Sequence, residues 1–187
     1  MSGLVRGYLG MSLDGMIAGP DDELDWLTAP PRRLTEDPVP STDDEWVSFD
    51  GFTSQVGVML MGRRTFDVVN ALEDWFYGDL KVLVATNRPL PSSIPATVEA
   101  VSGDVAELVS EALRQSGELD VYLDGGQLVS AALDAGLLDE LTTTVLPTVR
   151  GEGISLFSNL RGPHDLDLTK VATDTSGMVQ LTWVPHR

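Results

Sequence analysis

One stretch of the chain, Val58–Asp67, combines residue types that could bind a phosphate. Its short apolar run ends at Gly62, and a helical pattern begins directly afterwards with Arg63, Arg64 and Thr65. The first N–H groups of a helix are unpaired and carry the positive end of the helix dipole, so an anion binds well there. The stretch therefore predicts a phosphate site, although an ordinary strand-to-helix turn with solvated arginines would show the same pattern.

Positive charge is scarce in this chain. Its 12 lysines and arginines face 29 aspartates and glutamates, which gives a formal net charge of −17. Binding to a nucleic-acid backbone depends on basic patches, so this composition argues against a nucleic-acid partner. The adjacent Arg63 and Arg64, together with Arg88 after the next apolar run, are the positions where we expect an anion.

Composition also limits the class of protein. With 187 residues, 42% of them hydrophobic, we expect a single domain over residues 1–187. There is no cysteine, and His164 and His186 lie far apart, so we expect neither disulfides nor a metal site. No apolar run approaches the roughly 20 residues that a membrane helix requires. We therefore expect a cytoplasmic protein with no membrane association.

Apolar runs alternate with helical patterns along most of the chain, which predicts a mostly parallel sheet with antiparallel strands at the end. Strands are predicted at 4–11, 57–61, 81–86, 97–101, 119–123, 141–146, 165–172 and 178–184, and helices at 42–55, 63–73, 104–113 and 127–135.

Two segments before the central strand are predicted to lie near the possible site. Thr42 and Glu45 form a capping-box pattern, so a helix should begin there and present Trp46 and Asp50 on neighbouring faces. The proline-rich segment 28–41 before it is a lid or binding loop, or else it is disordered. The helix predicted over 63–73, after the central strand, should bury its apolar side, of which Leu72 is the last residue.

Four strand ends carry residues that could contact one ligand, because ligands bind outside the carboxyl ends of strands in an open parallel sheet. These segments are 12–19, 62–65, 86–88 and 124–127. Two helix starts and an extra arginine suit a diphosphate and a separate ribose phosphate, so a phosphorylated dinucleotide is the predicted ligand. Neither a phosphate-loop lysine motif nor the Rossmann glycine fingerprint is present.

The order of these motifs resembles the dihydrofolate-reductase-like superfamily, in particular stand-alone relatives of the C-terminal reductase domain of bifunctional riboflavin-biosynthesis proteins. The motifs cover nearly the whole length, and their order is more specific than any one of them. The resemblance implies a three-layer α/β/α fold and an NADPH cofactor. The segments that carry it are 12–18, 61–66, 84–88, 124–126 and 136–141, followed by Pro147 and 151–153.

The resemblance implies a role for each matching residue in binding NADPH. It also implies an unusual cis peptide at the glycine pair 125–126. The implied contacts are Gly62, Arg63, Arg64 and Thr65 for the diphosphate and ribose phosphate, Thr86, Asn87 and Arg88 for the 2'-phosphate, Gly125, Gly126 and Gln127 for the diphosphate, and Gly10, Ile17 and Ala18 for the nicotinamide.

The proton donor is the open part of this interpretation. Trp46 stands where dihydrofolate reductases carry an acid, and Asp50 one turn later could reach the same pocket only if burial raised its pKa. A solvated helix aspartate is the alternative reading of Asp50. Asp14 is a further catalytic candidate. The predicted pocket wall adds Trp26 and Thr144, although a tryptophan can equally belong to the core.

Two functions follow from the resemblance. The first is an NADPH-dependent reductase of a pteridine- or pyrimidine-like heterocycle or of a ribosylaminopyrimidine. The second is a catalytically silent NADPH-binding sensor or dimerisation module, which the tryptophan in the acid position favours. Homodimerisation through the late strands is a further implication of the resemblance.

Overall fold

The computed structural model describes residues 3–28, 46–72 and 75–186. Within them it has ten strands and five helices. In chain order they are β1 (Val5–Ser12), β2 (Met16–Ala18), α1 (Asp25–Thr28), α2 (Phe49–Thr53), β3 (Val56–Gly62), α3 (Arg63–Asn70), β4 (Lys81–Ala85), β5 (Val98–Val101), α4 (Val105–Ser116), β6 (Asp120–Asp124), α5 (Gly126–Asp134), β7 (Glu140–Leu146), β8 (Ile154–Ser155), β9 (Leu166–Thr173) and β10 (Val179–Pro185).

Eight of the strands form one sheet in the order β5-β4-β3-β6-β1-β7-β10-β9. All neighbouring pairs up to β7 are parallel, and β10 runs antiparallel to both β7 and β9. The short strands β2 and β8 form a separate antiparallel pair. The predicted mostly parallel sheet with an antiparallel C-terminal addition is confirmed.

Helices cover both faces of the sheet, and alternation along β3 shows how the sequence produces these layers. Val58 and Leu60 are buried in the cluster that also contains buried residues of α4 and α5. Met59 and Met61 point to the other face, where they join buried residues of α2 and α3. Successive strand residues face opposite sides, so a continuous apolar run serves both layers. The predicted α/β/α arrangement is confirmed.

Of the helix expected over 42–55, the described part is Phe49–Thr53, and residues 46–48 before it are not helical. Ser48 is its N-cap and accepts a hydrogen bond from the Gly51 N–H at 3.0 Å. The backbone of Val47 is held instead by the Gln180 side chain, whose Oε1 accepts from the Val47 N–H at 2.9 Å. Trp46 therefore precedes the helix and shares no helical face with Asp50.

Thr42, Glu45 and residues 29–41 of the proline-rich segment lie outside the described residues. The helix α3 ends at Asn70, so Leu72 falls beyond it and is exposed.

Among the residues described, no helix is both long enough and apolar enough to cross a membrane.

Candidate cofactor and active site

A cavity of about 580 Å³ lies at the carboxyl ends of β1, β3 and β6. This is the place where an open parallel sheet binds its ligands. Its walls come from the strand ends, the first turns of α3 and α5, and the segments 17–27 and 153–159. The predicted cofactor residues that line it are Gly10, Ile17, Ala18, Gly62, Arg64, Thr65, Gly125, Gly126 and Gln127.

Two helix N-termini meet at this cavity. Gly62 and Gly125 are the N-cap residues of α3 and α5, and neither helix has a side-chain hydrogen bond at its cap. Gly125 has φ 95°, and a Cβ atom there would lie 2.5 Å from the Thr65 Oγ1 atom. Only glycine suits this conformation and this contact. The uncapped N–H groups of two helices are thus gathered in one wall, which favours an anion.

The neighbouring glycines also allow close approach. A Cβ atom on Gly126 would lie 2.9 Å from the Leu156 carbonyl oxygen, and one on Gly10 would lie 2.9 Å from the Leu27 Cδ2 atom. The backbone contact explains a glycine at position 126, whereas at Gly10 the neighbouring atom is the end of a leucine side chain that can move. The peptide bond between Gly125 and Gly126 is trans, which corrects the expectation of a cis bond.

The two adjacent arginines have different surroundings. Arg64 lines the cavity and pairs with Asp22. Arg63 is outside the lining: its Nε contacts the Asp67 Oδ1 atom at 2.7 Å, and its Nη1 donates to the Pro89 carbonyl oxygen at 3.0 Å. This arginine therefore anchors the loop after β4, and its placement does not support a phosphate contact inside the cavity.

The predicted 2'-phosphate residues Thr86, Asn87 and Arg88 follow β4 and also lie outside the cavity lining. The Thr86 Oγ1 atom accepts a hydrogen bond from the Arg88 N–H at 3.0 Å, which fixes this turn. The Arg88 side chain is 69% exposed and lies 3.6 Å from Asp67. It is a solvent-facing cation close to the start of α3.

The predicted acids do not line the cavity. Asp50 is exposed in the first turn of α2, which agrees with the solvated alternative. Asp14 is also exposed and accepts hydrogen bonds from the Ser12 hydroxyl at 2.6 Å and from the N–H groups of Arg150 and Gly151. These bonds lower the pKa of Asp14 to about 2, the Ser12 bond most of all. Asp14 is thus ionised at neutral pH and anchors the loop at 150–151.

The structure places the residues predicted for the pocket wall in other surroundings. Trp26 lies beneath the Arg150 guanidinium, 5.4 Å from the ring centroid, and its indole N–H donates to the Glu23 carbonyl oxygen. Thr144 is buried and accepts a hydrogen bond from the Gln180 Nε2 atom at 3.3 Å. Trp46 is partly buried before α2. None of these three side chains lines the cavity.

An aspartate that was predicted only as part of the ligand-facing segment 124–127, and not as a catalytic acid, lines the cavity instead. Asp124 ends β6, immediately before the glycine pair, and Tyr77 donates a hydrogen bond to its Oδ2 atom at 3.2 Å. Burial raises the pKa of Asp124 to about 6, against the opposing effect of hydrogen bonds from the Tyr77 hydroxyl and the Gly125 N–H. The sequence carried a signal for it, since Asp124 stands at a strand end beside the glycines of the predicted site.

Aromatic side chains surround this carboxyl group. Tyr8, Tyr77 and Tyr122 all line the cavity, and the Tyr122 hydroxyl donates to the Tyr8 carbonyl oxygen at 2.8 Å. Burial and the neighbouring Asp124 raise the pKa of Tyr77 and of Tyr122, so both phenols stay protonated. The cavity wall thus combines flat apolar surfaces with one carboxyl group that can change its protonation near neutral pH.

Comparison with known proteins identifies the family. Residues 70–180 match the RibD C-terminal domain, and the chain belongs to this family. The uncharacterized protein YwjB of Bacillus subtilis (strain 168) is 30% identical over 179 residues, which cover 95% of each chain.

Solved structures agree with this assignment. A protein from Shewanella sp. PV-4, provisionally assigned to riboflavin biosynthesis, superposes over the full length of both chains with a TM-score of 0.80 and 28% identity. Dihydrofolate reductase from Enterococcus faecalis, solved with NADP(H), has a TM-score of 0.63 and 15% identity over 100% of this chain and 99% of its own. The dihydrofolate-reductase-like fold expected from the motifs is confirmed.

Proposed function

We propose that the cavity binds NADPH and that the protein is an NADPH-dependent reductase. The observation that carries this proposal is the convergence of two uncapped helix N-termini and Arg64 in one cavity wall. A diphosphate needs this combination of N–H donors and positive charge. The likeness to a dihydrofolate reductase that was solved with NADP(H) supports the choice of cofactor.

Asp124 is the proton donor in this proposal. The bound cofactor would supply a hydride to a C=N or C=O carbon of the substrate, whose nitrogen or oxygen then needs a proton. Asp124 can hold that proton because burial keeps its pKa at about 6. Tyr77 fixes the orientation of the carboxyl group through the hydrogen bond to its Oδ2 atom.

The proposed substrate is a flat heterocycle of the pteridine or pyrimidine type, including a ribosylaminopyrimidine. Tyr8, Tyr77 and Tyr122 offer aromatic surface beside Asp124, which suits stacking against such a ring. The alternative function, a silent NADPH-binding sensor, depended on a missing acid at the position of Trp46. A carboxyl group supplied from β6 weakens that argument and favours the reductase.

Binding and reduction can be tested in sequence. Fluorescence titration should show NADPH binding in the micromolar range or tighter, which requires about 8 kcal/mol or more of binding free energy. Absorbance at 340 nm should then fall in the presence of at least one pteridine or pyrimidine substrate. Binding without turnover over a broad panel of such heterocycles would favour the sensor, and no NADPH binding would refute the proposal.

Arg88 is proposed to select NADPH over NADH through the 2'-phosphate. The Arg88→Ala variant should lose this preference by roughly tenfold or more, because one charge-assisted hydrogen bond contributes about 1.5–3 kcal/mol. Arg114→Ala is the matched control, since Arg114 is 70% exposed and lies on α4. Equal ratios of NADPH to NADH affinity in both variants and the wild type would remove Arg88 from this role.

Two further proposals concern the setting of the protein. We propose a cytoplasmic homodimer that uses the outer strand β9, where Leu168 and Val171 are 48% and 43% exposed. Light scattering coupled to size-exclusion chromatography would show twice the chain mass of 20.1 kDa. A mass of one chain at micromolar concentration would contradict the dimer.

A further inference from the structure

The turn after β2 presents a carboxylate to the cavity. Among the described residues, Asp22 is the only non-glycine residue with a positive φ, at 65°. The turn is closed by hydrogen bonds from the Asp22 N–H to the Gly19 carbonyl oxygen and from the Gly19 N–H to the Glu23 carbonyl oxygen. Aspartate tolerates this left-handed conformation better than most residues. The turn therefore fixes the backbone that carries the Asp22 side chain.

This carboxylate pairs with the arginine of the proposed phosphate site. Both Asp22 oxygens contact the Arg64 Nε atom, at 2.7 and 3.0 Å. Asp22 and Arg64 both line the cavity, and they come from separate elements, the turn after β2 and the first turn of α3. Arg64 is 62% exposed and Asp22 30% exposed. The ion pair thus links two walls of the cavity while remaining open to solvent.

The pair has a consequence for an anionic ligand. A carboxylate on Arg64 neutralises its charge and repels a phosphate that approaches the same group. Exposed ion pairs are weak, so a well-placed diphosphate can displace the carboxylate or share the arginine with it. Among the cavity-lining residues that the structure describes, no lysine and no other arginine is present to offset this competition.

We propose that Asp22 is an internal competitor for the phosphate contact of Arg64 and sets the affinity of the cavity for NADPH. In the structure the Asp22 carboxylate is paired with the Arg64 guanidinium. When the diphosphate binds, the turn at 19–23 releases the arginine. This inference rests on the proposed function, and it adds Asp22 as an affinity-determining residue of the same site.

Charge removal at Asp22 tests the proposal. Asp22→Asn keeps the size and tolerates the positive φ, and Asp21→Asn is the matched control because Asp21 is an exposed neighbour outside the cavity lining. Fluorescence titration at low ionic strength should show about three- to tenfold tighter NADPH binding for Asp22→Asn, the size expected from a released exposed ion pair and a removed like charge. The control should bind like the wild type. The gain should shrink at high salt because screening weakens exposed pairs.

The double variant Arg64→Ala with Asp22→Asn tests whether Asp22 affects NADPH binding through Arg64. In the Arg64→Ala protein, Asp22→Asn should lose most of its gain, since the group for which it competes is gone. Should Asp22→Asn fold poorly, Asp22→Gly removes the carboxylate and relieves the positive φ, and it should also tighten binding. Equal or weaker NADPH binding by the Asp22 variants would overturn the inference alone. Failure of wild type and variants alike to bind NADPH would refute the proposed function as well.

Discussion

Two aspartates at the carboxyl ends of neighbouring strands have pKa values that are shifted in opposite directions. Asp14 follows β1 and Asp124 ends β6, and these two strands are parallel neighbours. Both residues stand beside glycines at the carboxyl ends of strands, where catalytic groups are expected. Nevertheless, the pKa of Asp14 falls to about 2, whereas the pKa of Asp124 rises to about 6.

The difference comes from their surroundings. Asp14 is exposed, so its carboxylate loses little hydration, and the Ser12 hydroxyl and two N–H groups stabilise the charged form. Asp124 lies in the cavity wall, where loss of hydration outweighs the donors around it. A position at the carboxyl end of a strand therefore does not determine which carboxyl group can deliver a proton. The balance between burial and hydrogen bonding determines it.

The largest expected effect of this difference is on turnover. Asp124→Asn should lower kcat by roughly 100-fold or more, the usual contribution of a general acid, while NADPH affinity changes little. Wild-type kcat should decline above about pH 6 as Asp124 loses its proton. Asp14→Asn is the control and should retain most of the activity. If Asp124→Asn reduced the same heterocycle with the kcat of the wild type, Asp124 would not be the proton donor.

A smaller effect is expected on stability. A raised pKa means that ionised Asp124 destabilises the fold above about pH 6, and this penalty vanishes below its ordinary value of 3.8. Asp124→Asn should therefore raise the free energy of unfolding at pH 8 by about 1–3 kcal/mol, and the gain should disappear near pH 3. Urea unfolding at both pH values measures it. A gain that did not depend on pH would point to packing instead of ionisation.

The smallest effect is expected at Asp14. Its lowered pKa means that the ionised form stabilises the fold above about pH 4, and this contribution is lost as the pH falls towards 2. Asp14→Asn should slightly lower Tm at pH 7 and increase amide exchange at Arg150 and Gly151, which lose a carboxylate acceptor. Unchanged exchange at both amides would show that the anchor is unimportant.

The comparison also shows what the sequence can and cannot predict. Apolar runs and capping patterns predicted the eight strands of the main sheet and most helices, because they reflect local periodicity and local hydrogen bonds, but they did not predict β2 and β8. The helix predicted from residue 104, for example, has Asp104 as its N-cap, which forms a capping box with Glu107. The start of α2 was misplaced because Gln180, 133 residues from Val47, holds the backbone before it. A contact over that distance leaves no local pattern.

The same limit applies to the site. Gly62, Thr65 and the glycine pair were predicted from their order at strand ends, and all of them line the cavity. Asp14 and Asp124 could not be ranked, because the number of donors and the degree of burial depend on segments that are distant in sequence. Tyr77, 47 residues from Asp124, is one such partner.

The proposed reduction depends on a carboxyl group in the cavity wall, that of Asp124, which gains and loses its proton near pH 6, well above the ordinary range of an aspartate. The most direct test is an NMR titration of the side-chain carboxyl carbons with 13C-labelled aspartate, in which Asp124→Asn and Asp14→Asn assign the two signals. The expected pKa is about 6 for Asp124 and about 2 for Asp14. Values near 4 for both residues would contradict it.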